Sequence, residues 1–198
     1  MNNIFKLFKS NDTLYWLYAK SLYNTQKYIN DVFEATQILN NLWLGGITSV
    51  CNRESLLERN IELIITAVYG ASAIYPYDFN YSRSNLKDIE EENILPEIEK
   101  MVPIIHSELE KGKGVLVSCI KGRSRSCTIV AGYLIKYHNM TTDEALAFIK
   151  KRRSQIDPNP SYITSLNIYE LNVAKEKMGK KVEKIESDES DDEINLEL

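Results

Sequence analysis

Between residues 13 and 34, Leu14, Leu17, Tyr18, Leu22, Ile29, Val32 and Phe33 recur at roughly helical spacing, which predicts an amphipathic helix. From Gln37 the pattern changes. Residues 38–44 read as a strand ending in the Gly45-Gly46 turn, and Asn52 caps a short helix over residues 54–59. Residues 61–68 (IELIITAV) form a continuous apolar run, as expected of a strand covered on both faces. Residues 69–87 read as loop with a short edge strand. Residues 97–111 predict a helix bent by Pro103 and stopped by Gly112, and residues 115–118 a second short buried strand. Residues 125–138 are small or apolar nearly all round, so that helix is expected inside. Thr141-Thr142-Asp143-Glu144 resembles a capping box opening a helix over 144–153. Pro160 starts a last helix, which runs to about Met178 with Gly179 as its stop. Strands alternating with helices predict an α/β fold with a central mixed, mostly parallel sheet flanked by helices. Three parts follow: an N-terminal helical extension (1–36), a globular domain (37–180) and an acidic, disordered tail (181–198).

Composition changes this picture in one respect. The net charge of −4 over 198 residues hides an asymmetry, because residues 183–198 hold eight acidic side chains and one Lys. The tail alone carries −7, so residues 1–182 carry +3 (−4 + 7). A mildly basic body suits an anionic substrate and falls short of the basic stripe of a nucleic-acid binder. No apolar run approaches the length of a membrane span, and the expectation is of a chain without a signal peptide. The three cysteines, Cys51, Cys119 and Cys127, cannot all pair and lack metal-ligand spacing. A disulfide scaffold and a structural zinc site are therefore excluded, and a reducing, intracellular, cytoplasmic setting is expected.

The candidate chemistry lies in Val115-Leu116-Val117-Ser118-Cys119-Ile120-Lys121-Gly122-Arg123-Ser124-Arg125-Ser126. A Cys ends a buried strand, an Arg follows six residues later across a Gly-containing loop, and a helix begins at once. Such a turn aims successive backbone N–H groups into one concavity at a helix N-terminus, which makes an anion site of Ile120, Lys121, Gly122, Arg123, Ser124 and Arg125. The same positive potential favours a thiolate at Cys119. Arg125 offers a planar fork that grips two oxygens of a tetrahedral oxyanion. A thiolate beneath a bound phosphate is poised for in-line attack on phosphorus, through a cysteinyl-phosphate intermediate. A structural Cys with Gly and Arg nearby by chance is the competing reading, disfavoured by the strand–loop–helix setting. No Gly-x4-Gly-Lys-Ser/Thr run is present, and Cys127 lies eight residues after Cys119, too far for a Cys-x-x-Cys redox pair. Cys127 reads as a small core residue.

Cys-x5-Arg followed by Ser resembles the signature of the cysteine-based protein tyrosine phosphatase superfamily, in its compact dual-specificity class. The similarity extends from about residue 38 to residue 171. Asn41-Leu42-Trp43-Leu44-Gly45 resembles the opening strand of that family, and Asn159-Pro160-Ser161 the entry to its final helix. The resemblance implies a cofactor-free and metal-free phosphomonoesterase acting on phosphotyrosine and phosphoserine or phosphothreonine in proteins. It also implies a general acid on a loop upstream of the Cys. Asp88, in Leu86-Lys87-Asp88 and 31 residues before Cys119, occupies the matching stretch. Asp78 is the second candidate, while Glu90, Glu91 and Glu92 read as a solvated helix start. Ser126 resembles the hydroxyl with which the family stabilises the thiolate, and it can also cap the following helix.

One departure stands out. The family usually has His immediately before the nucleophile, and this sequence has Ser118; His106 and His138 lie too far along the chain to replace it. A less acidic thiol is expected. Lys121 and Arg123 resemble the loop of a mitochondrial phosphatidylglycerophosphate phosphatase, so a lipid phosphatase acting on that substrate or on phosphoinositides is the alternative. A phosphate-binding pseudophosphatase and an RNA 5′-triphosphatase are more distant ones. The apolar stripe of the N-terminal helix must pack on the core or on a second subunit, which predicts a homodimer through that helix.

Overall fold

The computed structural model describes residues 33–194 together with Leu17, Ser21 and Thr25. One sheet is formed by β1 (Thr36–Leu39), β2 (Leu42–Gly45), β3 (Ile61–Ala67), β4 (Asn80–Ser84) and β5 (Gly114–Ser118), in the spatial order β1-β2-β5-β3-β4. β1 runs antiparallel to β2, and the other pairings are parallel. The expected mixed, mostly parallel sheet is present. The helices of residues 33–194 are α1 (Ile47–Cys51), α2 (Arg53–Glu58), α3 (Leu95–Glu110), α4 (Arg125–His138), α5 (Thr142–Arg152) and α6 (Pro160–Ile194).

Strand side chains alternate between the two faces, and both faces are covered. Val115 and Val117 of β5, with Leu63 and Ile65 of β3, join a large core against α3, α4, α5 and α6. Leu116 and Ile64 point the other way, into a smaller core with Val50 of α1 and Leu56 of α2. This two-sided burial explains why the central strands are apolar at successive positions. It also buries the C-terminal end of β5, from which the candidate loop springs.

Three elements differ from expectation. Residues 38–44 form a hairpin rather than one strand, because Asn41 takes the left-handed conformation (φ 60°), which Asn tolerates. The five residues of α1 are all buried and carry no side-chain cap, so neither periodicity nor capping marks them in the sequence. The last helix does not stop at Gly179 but continues to Ile194, so residues 181–194, expected to be disordered, are helical. An interior Gly weakens a helix by only about 1 kcal/mol relative to Ala and ends it only in a left-handed conformation, and the Lys and Glu residues that follow are good helix formers. Of the helix predicted over residues 13–34, Leu17, Ser21 and Thr25 are helical, Phe33 and Glu34 are not, and the other residues lie outside the described ones. Among the described residues no helix is long and apolar enough to cross a membrane.

Gly132 lets α4 approach α3 closely, since a Cβ there would lie 2.5 Å from Ile98 Cγ2 and 3.3 Å from Val102 Cγ2. Gly132→Leu should destabilise the fold by about 1–3 kcal/mol through overpacking. Thermal unfolding followed by circular dichroism should register this as a fall in Tm of several degrees.

Candidate active site

Cys119 follows the last residue of β5, and Arg125 opens α4; both are buried. Between them the carbonyls of the loop are all taken up by groups outside the concavity. Ile120 O accepts from Ile47 N at 3.1 Å, and Arg123 O from Asp157 N at 3.0 Å. Ser124 O accepts from the Thr128 amide at 2.9 Å, within α4. Lys121 O and Gly122 O accept from Arg153, at 3.4 and 2.8 Å. Gly122 has a φ of 63°, and a Cβ there would come within 2.6 Å of Gly45 O, so the Gly45-Gly46 turn closes directly on the loop.

Burial alone would push the Cys119 thiol up. The Arg125 charge, the Ser126 hydroxyl and the backbone N–H groups of Ser126 and Arg123 outweigh it and hold the thiol below the ordinary cysteine value. Ser126 Oγ donates to Cys119 Sγ at 3.2 Å. Cys127, on the same helix and equally buried, lacks comparable support, and burial pushes its thiol far up. All three cysteines are free thiols.

Asp88 is brought to the site. Its Oδ1 accepts from Ser124 Oγ at 2.8 Å, and its Oδ2 lies 3.7 Å from Arg125 Nε. The carboxylate is 30% exposed, at the mouth of the loop, whereas the Arg125 side chain is 3% exposed. The segment before it is pinned: Leu86 O accepts from Arg125 Nη1 at 3.0 Å and from Tyr69 N at 3.2 Å, and the Tyr162 hydroxyl donates to Lys87 O. Asp78 is engaged elsewhere, in a two-pronged pair with Arg53 at 2.5 and 2.9 Å whose hydrogen bonds hold its carboxyl below the usual range. Ser118 Oγ donates to Ile65 O at 3.2 Å, satisfying its hydroxyl within the sheet.

Residues 42–172 match the family model of the dual specificity phosphatase catalytic domain. The chain belongs to the dual-specificity phosphatase family. It is 31% identical over 150 residues to dual specificity protein phosphatase 1B of Arabidopsis thaliana, covering 76% of this chain and 90% of that one. It is 33% identical over 135 residues to a probable rhodanese domain-containing dual specificity protein phosphatase of Dictyostelium discoideum, covering 68% of this chain but 28% of that longer protein. Among solved structures, the human tyrosine phosphatase-like serine/threonine/tyrosine-interacting protein superposes with a TM-score of 0.68 at 27% identity, over 71% of this chain and 97% of that one. A structure of PTPMT1 in complex with PI(5)P superposes at 0.65 with 26% identity, over 72% and 98%.

In this dual-specificity phosphatase the two extra loop cations differ from each other. Arg123 donates to Gln155 O at 2.9 Å and pairs with Asp157 at 3.1 Å, so its charge is directed away from the phosphate concavity. Lys121 lies on the exposed side of the loop. Sequence reasoning missed Arg153, Asn159 and Tyr162. Asn159 N donates to Ser124 Oγ at 3.2 Å, joining the start of α6 to the Asp88 contact. Asn159-Pro160 carried a signal, but only for helix entry; Arg153 entered only as the last residue of the helix expected over 144–153.

A thiol held below its ordinary pKa is ionised, and so reactive, at lower pH. With Cys51 and Cys127 replaced, alkylation of Cys119 by iodoacetamide should reach half its maximal rate below about pH 8.5, the free-cysteine value. Ser126→Ala removes a group that favours the thiolate, so it should move that midpoint upward.

Proposed function

We propose that this chain removes phosphate from phosphotyrosine and from phosphoserine or phosphothreonine in proteins, with Cys119 as nucleophile. The observation that carries this reading is the arrangement in which Ser126 Oγ donates to Cys119 Sγ at 3.2 Å at the start of the helix opened by Arg125, whose Nε lies 3.7 Å from Asp88 Oδ2. The Cys119 thiolate attacks phosphorus in line, and the bond from phosphorus to the substrate oxygen breaks. Arg125 and the amides of residues 120–125 carry the charge of the transferring phosphoryl group. Asp88, protonated, gives its proton to the leaving oxygen. Its carboxylate then takes a proton from water as that water attacks the cysteinyl phosphate and the S–P bond breaks. The Ser126 hydroxyl receives the departing thiolate. The catalytic unit in this reading is residues 37–180, flanked by the N-terminal and C-terminal extensions.

Protein substrates are supported over a polyanionic lipid headgroup by the engagement of Arg123 with Asp157, which leaves less cationic charge at the mouth. A nucleophile that must stay a thiolate calls for a reducing intracellular compartment, and the cytoplasm meets that need. We also assign a homodimer to the apolar stripe of residues 13–34, now on the ground of sequence pattern alone.

Two experiments test these readings. Against p-nitrophenyl phosphate and a doubly phosphorylated peptide, in chelator with fresh reductant, Cys119→Ser should retain less than about a hundredth of the parental turnover while still binding phosphopeptide. Asp88→Asn should lower kcat by roughly 10²–10⁴-fold and flatten one limb of the pH profile. A parent protein that binds phosphopeptide without turnover would instead make it a pseudophosphatase. By light scattering, the parent should have twice the monomer mass and a Leu22→Asp/Ile29→Asp variant the monomer mass; a monomeric parent refutes the dimer.

A further inference from the structure

Arg153 caps the C-terminal end of α5, outside the loop that binds phosphate, and yet the residue is only 5% exposed and its guanidinium spans two parts of the chain. On one side Nε donates to Gly122 O at 2.8 Å and Nη2 to Lys121 O at 3.4 Å. On the other, Nη1 donates to Glu34 O at 3.2 Å and to Thr36 Oγ1 at 3.1 Å. Glu34 is held in turn, its carboxylate accepting from Thr48 Oγ1 and Gln155 Nε2, each at 3.4 Å. The guanidinium thus joins the rear of the catalytic loop to Glu34 and to the first residue of β1, a stretch that lies outside the matched family domain.

In a trans peptide the C=O and N–H of one unit point in opposite directions. The unit linking Gly122 to Arg123 has its carbonyl on Arg153 behind the loop and its N–H toward Cys119 Sγ in front. The unit linking Lys121 to Gly122 has its carbonyl on the same guanidinium. An arginine is suited to this place, because its fixed fork of donors serves several carbonyls at once and a lysine ammonium serves them only in turn. Gly122 leaves room for it: a Cβ there would sit 2.7 Å from Arg153 Nη2.

We propose that Arg153 is a positioning residue of the phosphate site, holding two peptide units of the loop with their N–H groups toward the bound phosphate, and that Thr36 and Glu34 hold Arg153 in place. The inference rests on the phosphatase reading. It makes Glu34 and the start of β1 part of the apparatus that shapes the site, without any contact to substrate.

The test is competitive inhibition by inorganic phosphate of p-nitrophenyl phosphate hydrolysis, measured on the full chain. The inhibition constant does not depend on how much protein survives folding, so a purely structural role would not move it. Arg153→Met should raise that constant, and KM with it, at least about tenfold. Arg153→Lys should fall between parent and Met variant. Thr36→Val keeps the guanidinium and removes one acceptor at its rear, and it should raise the constant about threefold with little change in Tm; it decides the matter if Arg153→Met does not fold. Constants within twofold of the parent in every variant that folds would overturn the proposal while leaving the phosphatase reading intact. A parent that neither hydrolyses the substrate nor binds phosphate would overturn both.

Discussion

A peptide unit presents its N–H and its C=O to opposite sides, so a loop can line an anion site with N–H groups only if its carbonyls are satisfied behind it. Much of this fold meets that requirement for residues 120–124. The first residue of α1 takes one carbonyl, Asp157 between α5 and α6 another, and the first turn of α4 a third. Arg153, at the end of α5, takes two. These anchors come from separate stretches of chain that the parallel sheet gathers at the C-terminal end of β5. The close approach of Gly45 to Gly122 follows from the same demand, since side chains there would separate the turn from the loop.

The loop in turn sets the state of the thiol. A fully buried sulfur keeps its proton unless charge and hydrogen bonds favour the anion, and the contrast between Cys119 and Cys127 isolates that effect within one stretch of sequence. Both are buried, and burial raises both. Cys119 also faces Arg125, Ser126 and two backbone N–H groups, and its shift reverses sign. Position at the front of the loop, rather than residue type or burial, therefore distinguishes the candidate nucleophile from a core cysteine.

That distinction was legible in sequence because it is local: strand, Cys, Gly, Arg and helix follow within a dozen residues. The two-sided burial of the sheet was legible for a similar reason, since a strand covered on both faces must be apolar at successive positions and a half-exposed one alternates. Asp88 was not legible from its own surroundings. Only the family resemblance selected it over Asp78, and the contact with Ser124 and the pairing of Asp78 with Arg53 are tertiary facts. Arg153 was less visible still, because a basic residue at a helix C-terminus has an ordinary electrostatic reason to be there. The hairpin at Asn41 and the helix beyond Gly179 show the opposite limit, where one residue type permits both a turn and its absence. Backbone conformation decided each case.

The Ser at position 118 separates two contributions that a His there would combine. Ser118 offers no charge, and its hydroxyl is satisfied by Ile65 O in the neighbouring strand, so it supplies neither a cation for the sulfur nor an anchor for the loop. The loop nonetheless has its carbonyls fixed from α1, α4, Asp157 and Arg153. None of these anchors involves the side chain of the residue before the nucleophile. Ionisation of Cys119 is then left to Arg125, to Ser126 and to the N–H groups that those anchors orient. In this chain the electrostatics of the nucleophile are carried by the Arg125 guanidinium first, then by the Ser126 hydroxyl and the loop N–H groups, with a second guanidinium behind that geometry, and a histidine at 118 would add charge to them.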